Sequence, residues 1–135
     1  MNEMDLLEQA QNSVSRQSYF VIAENAFINN PEYTPVEKMV FLSLCTYAGK
    51  RNSCFPGQAG IAKNLGISLR TVNATIKSLN EKGGLLIIQQ YTETNRKTVN
   101  SYFLADINQV TGKFDSSSLD PYRALAEKPI LVKGR

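Results

Sequence analysis

Cys54-Phe55-Pro56-Gly57-Gln58-Ala59-Gly60-Ile61-Ala62-Lys63-Asn64-Leu65-Gly66-Ile67-Ser68-Leu69-Arg70-Thr71-Val72 is the stretch whose reading decides the fold. Cys54 to Gly57 form an extended turn, and Ala59, Ile61, Ala62 and Leu65 then supply apolar positions over about two helical turns, residues 58–65. Gly66-Ile67-Ser68 interrupts them. Ser68 is a ready N-cap for a second helix, over about 69–82, whose inward stripe is Val72, Ile76 and Leu79 at i, i+4 and i+7.

The flanks extend the pattern on both sides. Gly83-Gly84 stops the second helix, since glycine tolerates the left-handed C-terminal position best. Leu85-Leu86-Ile87-Ile88-Gln89-Gln90-Tyr91 then reads as a strand, Thr92 to Arg96 as a polar turn, and Lys97 to Leu104, with Val99, Tyr102 and Phe103, as a returning strand. That is a β-hairpin with a basic tip. Upstream, Thr34-Pro35-Val36-Glu37 is the clearest helix start in the chain: Thr34 caps, Pro35 occupies a first position where its missing N–H costs nothing, and Glu37 completes a capping box. Val36, Val40, Leu44 and Ala48, with Phe41 and Cys45 beside them, form its apolar stripe, and Gly49 ends it. Two helices joined by a three- or four-residue turn, the first bracing the second, with an earlier helix before them and a hairpin after, make a helix-turn-helix arrangement in an α+β chain.

Both ends carry weaker signals. Met4, Leu6, Leu7 and Ala10 fall at helical spacing in a short amphipathic helix, Ser18-Tyr19-Phe20-Val21-Ile22 reads as a short N-terminal strand, and residues 24–29 as a brief helical turn. Beyond Asp106 the pattern dissolves. Residues 111–118 have linker composition, Asp120 offers a cap for one more helical turn over 120–126, and residues 128–135 read as loose. The expected division is an N-terminal arm at 1–17, the domain of the helices and the hairpin at 18–106, and a linker with a short helix or tail at 107–135, with no internal repeat.

Composition narrows the function. The chain has 135 residues, 15 Lys and Arg against 12 Asp and Glu, a net charge of +3, 42% hydrophobic residues, two cysteines, and no histidine or tryptophan. A single domain with a real core fits these values. Without histidine there is no Ser/His or Cys/His catalytic arrangement, and two cysteines cannot complete a tetrahedral metal site, so neither an enzyme nor a metal or other cofactor is expected. The charge is unevenly placed: residues 1–49 hold six acids and two bases (−4), residues 50–100 eight bases and two acids (+6), and residues 101–135 five bases and four acids (+1). A polyanion would meet the middle segment. The acidic start and the absence of any run near the roughly 20 apolar residues of a membrane span point to the cytoplasm, with Cys45 and Cys54 as free thiols.

Residues 54–72, together with Lys77-Ser78-Leu79-Asn80-Glu81-Lys82-Gly83, resemble winged helix-turn-helix domains, most of all those near the N-terminus of phage and plasmid replication proteins and related regulators of Gram-positive bacteria. In that group a Phe-Pro-Ser-type turn opens the bracing helix, a Leu-Gly-Ile-Ser turn follows, and Arg-Thr-Val begins the recognition helix. The helix over 33–48 also looks like that family's first helix, so the resemblance spans about residues 19–104. Gly57 stands where the family usually has serine, which weakens the bracing-helix cap, and Asn73 and Ala74 replace larger basic or polar residues.

With Val72, Ile76 and Leu79 inward, Arg70, Thr71, Asn73, Ala74 and Lys77 face outward. Arg70 suits guanine through a two-pronged hydrogen bond, Asn73 suits adenine, and Thr71 meets a base edge or phosphate. Ser68 adds a helix N-terminus that welcomes phosphate. Asn95, Arg96 and Lys97 at the hairpin tip are candidates for backbone or minor-groove contacts, and Lys50, Arg51 and Lys63 for flanking phosphates. The expected function is sequence-selective double-stranded DNA binding, in replication initiation or transcriptional regulation of a mobile element. A homodimer formed through the N-terminal helix or the segment after Asp106 is expected to read a repeated site. The alternative is a winged helix serving as a protein-interaction module in a replisome or other assembly, through Met4-Leu6-Leu7 or Phe114 with Leu125. With no histidine in the interface, binding should respond to salt far more than to pH near neutrality.

Overall fold

The structure is a computed structural model that describes residues 20–92, 100–124 and 130–132. Among the described residues four α-helices follow in order: α1 (Asn25–Ile28), α2 (Pro35–Ala48), α3 (Gln58–Leu65) and α4 (Leu69–Glu81). A three-stranded antiparallel sheet completes the domain. Its strands are β1 (Ser53–Cys54), β2 (Leu85–Ile88) and β4 (Ser101–Leu104), with β4 in the centre. Leu85 pairs with Leu104 and Ile88 with Ser101, which makes β2 and β4 the stem of the wing. In the chain between them, β3 (Gln90–Thr92) pairs in parallel with the later β7 (Ile130–Val132), and after β4 the short strands β5 (Asp106–Ile107) and β6 (Phe114–Asp115) pair antiparallel with each other.

The capping box forms as its sequence requires: the Glu37 amide donates to Thr34 Oγ1 at 3.1 Å, and the Thr34 amide donates to Glu37 Oε1 at 2.8 Å. Behind that start α2 buries Val40, Phe41, Leu44 and Ala48, α3 buries Ile61 and Ala62, and α4 buries Val72, Ile76 and Leu79, all against Leu85 and Tyr102 of the sheet. Two positions depart from the expected stripe of α2. Val36 is exposed and Cys45 half-buried, while the carboxylate Glu37 is buried at 4% exposure. The first turn of α2 faces Lys82 and Ser78, so inward placement goes to the residue that can pair with them.

The ends require larger corrections. Phe20, Val21 and Ile22 lie in no strand, and Ile22 is 70% exposed. A β-branched run needs a sheet edge to pair with, and the edge beside β4 is taken by Ser53 and Cys54, opposite Phe103 and Tyr102. The stretch expected as a linker is folded. Phe114 packs against Phe27, Tyr33 and Phe41 with ring centroids 5.5, 4.5 and 4.8 Å away. A 3₁₀ helix over Ser116–Tyr122, capped by Asp115 rather than Asp120, then buries Leu119 and stacks Tyr122 on Phe103 at 4.2 Å. Asp120 pairs with Arg123 at 2.7 Å instead. Two aromatic rings and one leucine suffice to dock a segment whose remaining residues are polar. Residues 130–132, read as loose, form β7. The amphipathic helix at 4–11 and the hairpin tip lie outside the described residues.

Candidate nucleic-acid interface

Two local devices fix the position of α4. At the turn, Gly66 takes the left-handed conformation (φ 69°, ψ 33°), which a residue with a Cβ adopts only at a cost, and the Gly66 and Ile67 amides both donate to the Ala62 carbonyl. At the helix start, Ser68 Oγ accepts the Thr71 amide at 3.0 Å and lies 2.8 Å from the Thr71 hydroxyl. The far end is closed by the Gly83 and Gly84 amides, which donate to the carbonyls of Asn80 and Leu79 and leave the chain aimed into β2. The cap of α3 is weaker, since Gly57 offers no side-chain oxygen.

With both ends fixed, the faces of α4 separate cleanly. Val72, Ile76 and Leu79 are at most 1% exposed, whereas Ser68, Arg70, Asn73, Ala74 and Lys77 are exposed and Thr71 is half-buried. The expected outward set therefore occupies one continuous face. Neither Arg70 nor Lys77 forms an ion pair among the described residues. Lys63, on the last turn of α3, is also exposed.

A groove of about 440 Å³ runs along one side of this face between α4 and the start of α2, lined by Thr34, Glu37, Arg70, Thr71, Ala74, Thr75, Ser78 and Lys82. Its floor is an ion pair. Lys82 Nζ lies 2.8 Å from Glu37 Oε1, donates to the Glu32 carbonyl at 3.1 Å and sits 5.7 Å from the centre of the Tyr33 ring, while Ser78 donates to the other carboxylate oxygen of Glu37. Burial works to raise the Glu37 carboxyl. The hydrogen bonds from Lys82, Ser78 and the Thr34 amide, with the Lys82 charge, outweigh it and hold the pKa at about 2. One cation of the basic middle segment is thus spent inside the fold, tying the end of α4 to the first turn of α2.

The remaining candidates divide. Lys50 and Arg51 line a different cleft, of about 510 Å³, with Ile22, Glu24, Cys45 and Asp106, and it shares no residue with the groove beside α4. Asn95, Arg96 and Lys97 lie outside the described residues. The cysteines are free, and burial, reinforced by Glu24 for Cys45 and by Cys45 for Cys54, pushes each thiol up to about 12. No group of His, Cys, Asp or Glu among the described residues could hold a metal ion, and no helix there is long and apolar enough to cross a membrane. The residue that sequence reasoning passed over is Leu69, at the first position of α4 and 52% exposed. Three residues before Val72, it continues the spacing of the Val72-Ile76-Leu79 stripe, so no pattern in the sequence sets it apart from the core.

Three helices with a capped second helix after a Gly-centred turn, closed by a short strand and a β2–β4 hairpin, define the class: an α+β winged helix-turn-helix. Residues 34–85, from the cap of α2 to the first residue of β2, match the family model described as a helix-turn-helix domain. Among solved structures the chain is similar to the YusO protein from Bacillus subtilis, at 18% identity, covering 90% of this chain and 71% of that one with a TM-score of 0.41. No curated protein matches.

Proposed function

We propose that this chain binds double-stranded DNA sequence-selectively, with α4 as the recognition helix and the wing beyond β2 as a second contact, and that it acts as a non-enzymatic cytoplasmic regulator or replication initiator of a mobile element. The observation that carries the reading is the division of α4. One face is sealed into the core while Ser68, Arg70, Asn73, Ala74 and Lys77 lie open in a row, with two cations not spent on described carboxylates. Such a helix, braced by α3 and presenting its N-terminal end, has the form that enters a major groove. Arg70 and Asn73 would read guanine and adenine edges, and Ser68, Thr71, Lys77 and Lys63 would position the backbone, joined by Asn95, Arg96 and Lys97 of the wing. Lys50 and Arg51 stand apart at the second cleft and are assigned at most to flanking phosphates. The likeness of residues 54–72 to replication-protein domains supports the initiator role. Reading a repeated site calls for a homodimer, to be seen as a doubled mass on DNA by sedimentation.

The test is a gel-shift and footprint on the genomic DNA flanking the gene. Arg70→Ala is expected to lose discrimination between specific and random duplex, and Arg96→Ala with Lys97→Ala to lower affinity on all sequences and flatten the salt dependence. Absent or salt-insensitive binding would refute the proposal.

A further inference from the structure

Leu69 is 52% exposed at the first position of α4, on a helix whose other large apolar residues, Val72, Ile76 and Leu79, are sealed. The Ser68 cap leaves little freedom in where that position falls, because the Thr71 amide is bound to Ser68 Oγ. On the helix surface Leu69 lies one turn before Asn73, at i and i+4, and next in sequence to Arg70, both of them exposed. Side chains on a helix lean toward its N-terminus, so Leu69 is carried toward the end of α4 that leads into a groove. There a leucine finds one apolar feature on the major-groove edges of the bases, the C5-methyl of thymine.

We infer that Leu69 is a specificity-determining residue that selects thymine through its C5-methyl, beside the polar contacts of Arg70 and Asn73. The inference rests on the DNA-binding reading above. A surface leucine without this role would leave binding indifferent to the methyl.

The experiment starts by enriching a randomised duplex library on the full chain to obtain a preferred site. Each thymine of that site is then replaced in turn by uracil, which removes the methyl and keeps every hydrogen-bonding atom. One replacement is expected to weaken wild-type binding about four-fold, the worth of burying a single methyl-sized group. Leu69→Ala is expected to bind thymine DNA about as weakly and to be indifferent to that same replacement, while Leu69→Met, which keeps an apolar side chain, retains the penalty. Uracil penalties that are absent, or equal in wild type and Leu69→Ala, would overturn the assignment of Leu69 and leave DNA binding standing. Failure to enrich any site, with no duplex binding at all, would overturn both.

Discussion

The α4 segment and the segment over 106–122 solve opposite problems with similar polarity. In α4 Val72, Ile76 and Leu79 recur at helical spacing and are sealed into the core, which leaves Arg70, Asn73 and Lys77 exposed on another face. In the later segment a few apolar side chains, Phe114, Leu119 and Tyr122, are drawn into contacts with residues far away in the chain, and the polar residues between them serve the fold. Asp115 caps the 3₁₀ helix, Ser118 Oγ accepts the Asp106 amide at 2.9 Å, and the Phe114 amide donates to the Tyr33 hydroxyl at 3.0 Å. A polar face held by a local helix can carry function, whereas a polar segment held by distant contacts carries stability.

Changes to the two regions should therefore separate stability from DNA binding. The largest loss of stability is expected for Phe114→Ala, about 3 kcal/mol in denaturant unfolding, because three aromatic neighbours lose their partner. DNA affinity per folded molecule should stay unchanged, and a stability loss under about 1 kcal/mol would show that the segment is not docked. Gly84→Ala comes next, at roughly 1–3 kcal/mol. A Cβ there would stand 2.7 Å from the Phe114 ring, so its cost should shrink when Phe114 is already alanine, and strict additivity of the two would contradict the contact.

Glu37→Gln tests the link between α2 and the end of α4. At neutral pH it should cost about 1–2 kcal/mol, since the amide keeps a cap acceptor and loses the ion pair with Lys82. The Glu37 pKa is lowered from 4.5 to about 2 in the folded protein, so its stabilisation is fully present above pH 4.5 and disappears as pH falls toward 2. The gap between wild type and Glu37→Gln should close over that same window, and a gap independent of pH would break the assignment. Arg70→Ala stands at the small end for stability, within about 0.5 kcal/mol. An unfolding midpoint that moved far more would place Arg70 in the fold instead of the interface.

What the sequence discloses follows from the same contrast. The cap at Thr34, Pro35 and Glu37, the Gly66 turn and the Val72-Ile76-Leu79 stripe are encoded within a few residues of where they act, and their elements appear at the expected places. The partners of Phe114 lie up to 87 residues away, at Phe27, and no periodicity carries that information. Glu37 shows both cases in one side chain: its capping role is readable from the spacing to Thr34, and its pairing with Lys82, 45 residues on, is not. For the interface, the outward set on α4 was readable because it is what remains once a helical stripe is buried. Leu69 was not, because an apolar residue next to a stripe is first counted toward the core.

The central claim, that the open face of α4 is the surface that meets DNA, is tested most directly by amide chemical-shift mapping of the full chain as duplex from the enriched site is added. The largest shifts are expected at residues 68–77, with the cleft around Lys50 and Arg51 changing less. Shifts centred on that cleft, with residues 68–77 unmoved, would contradict it.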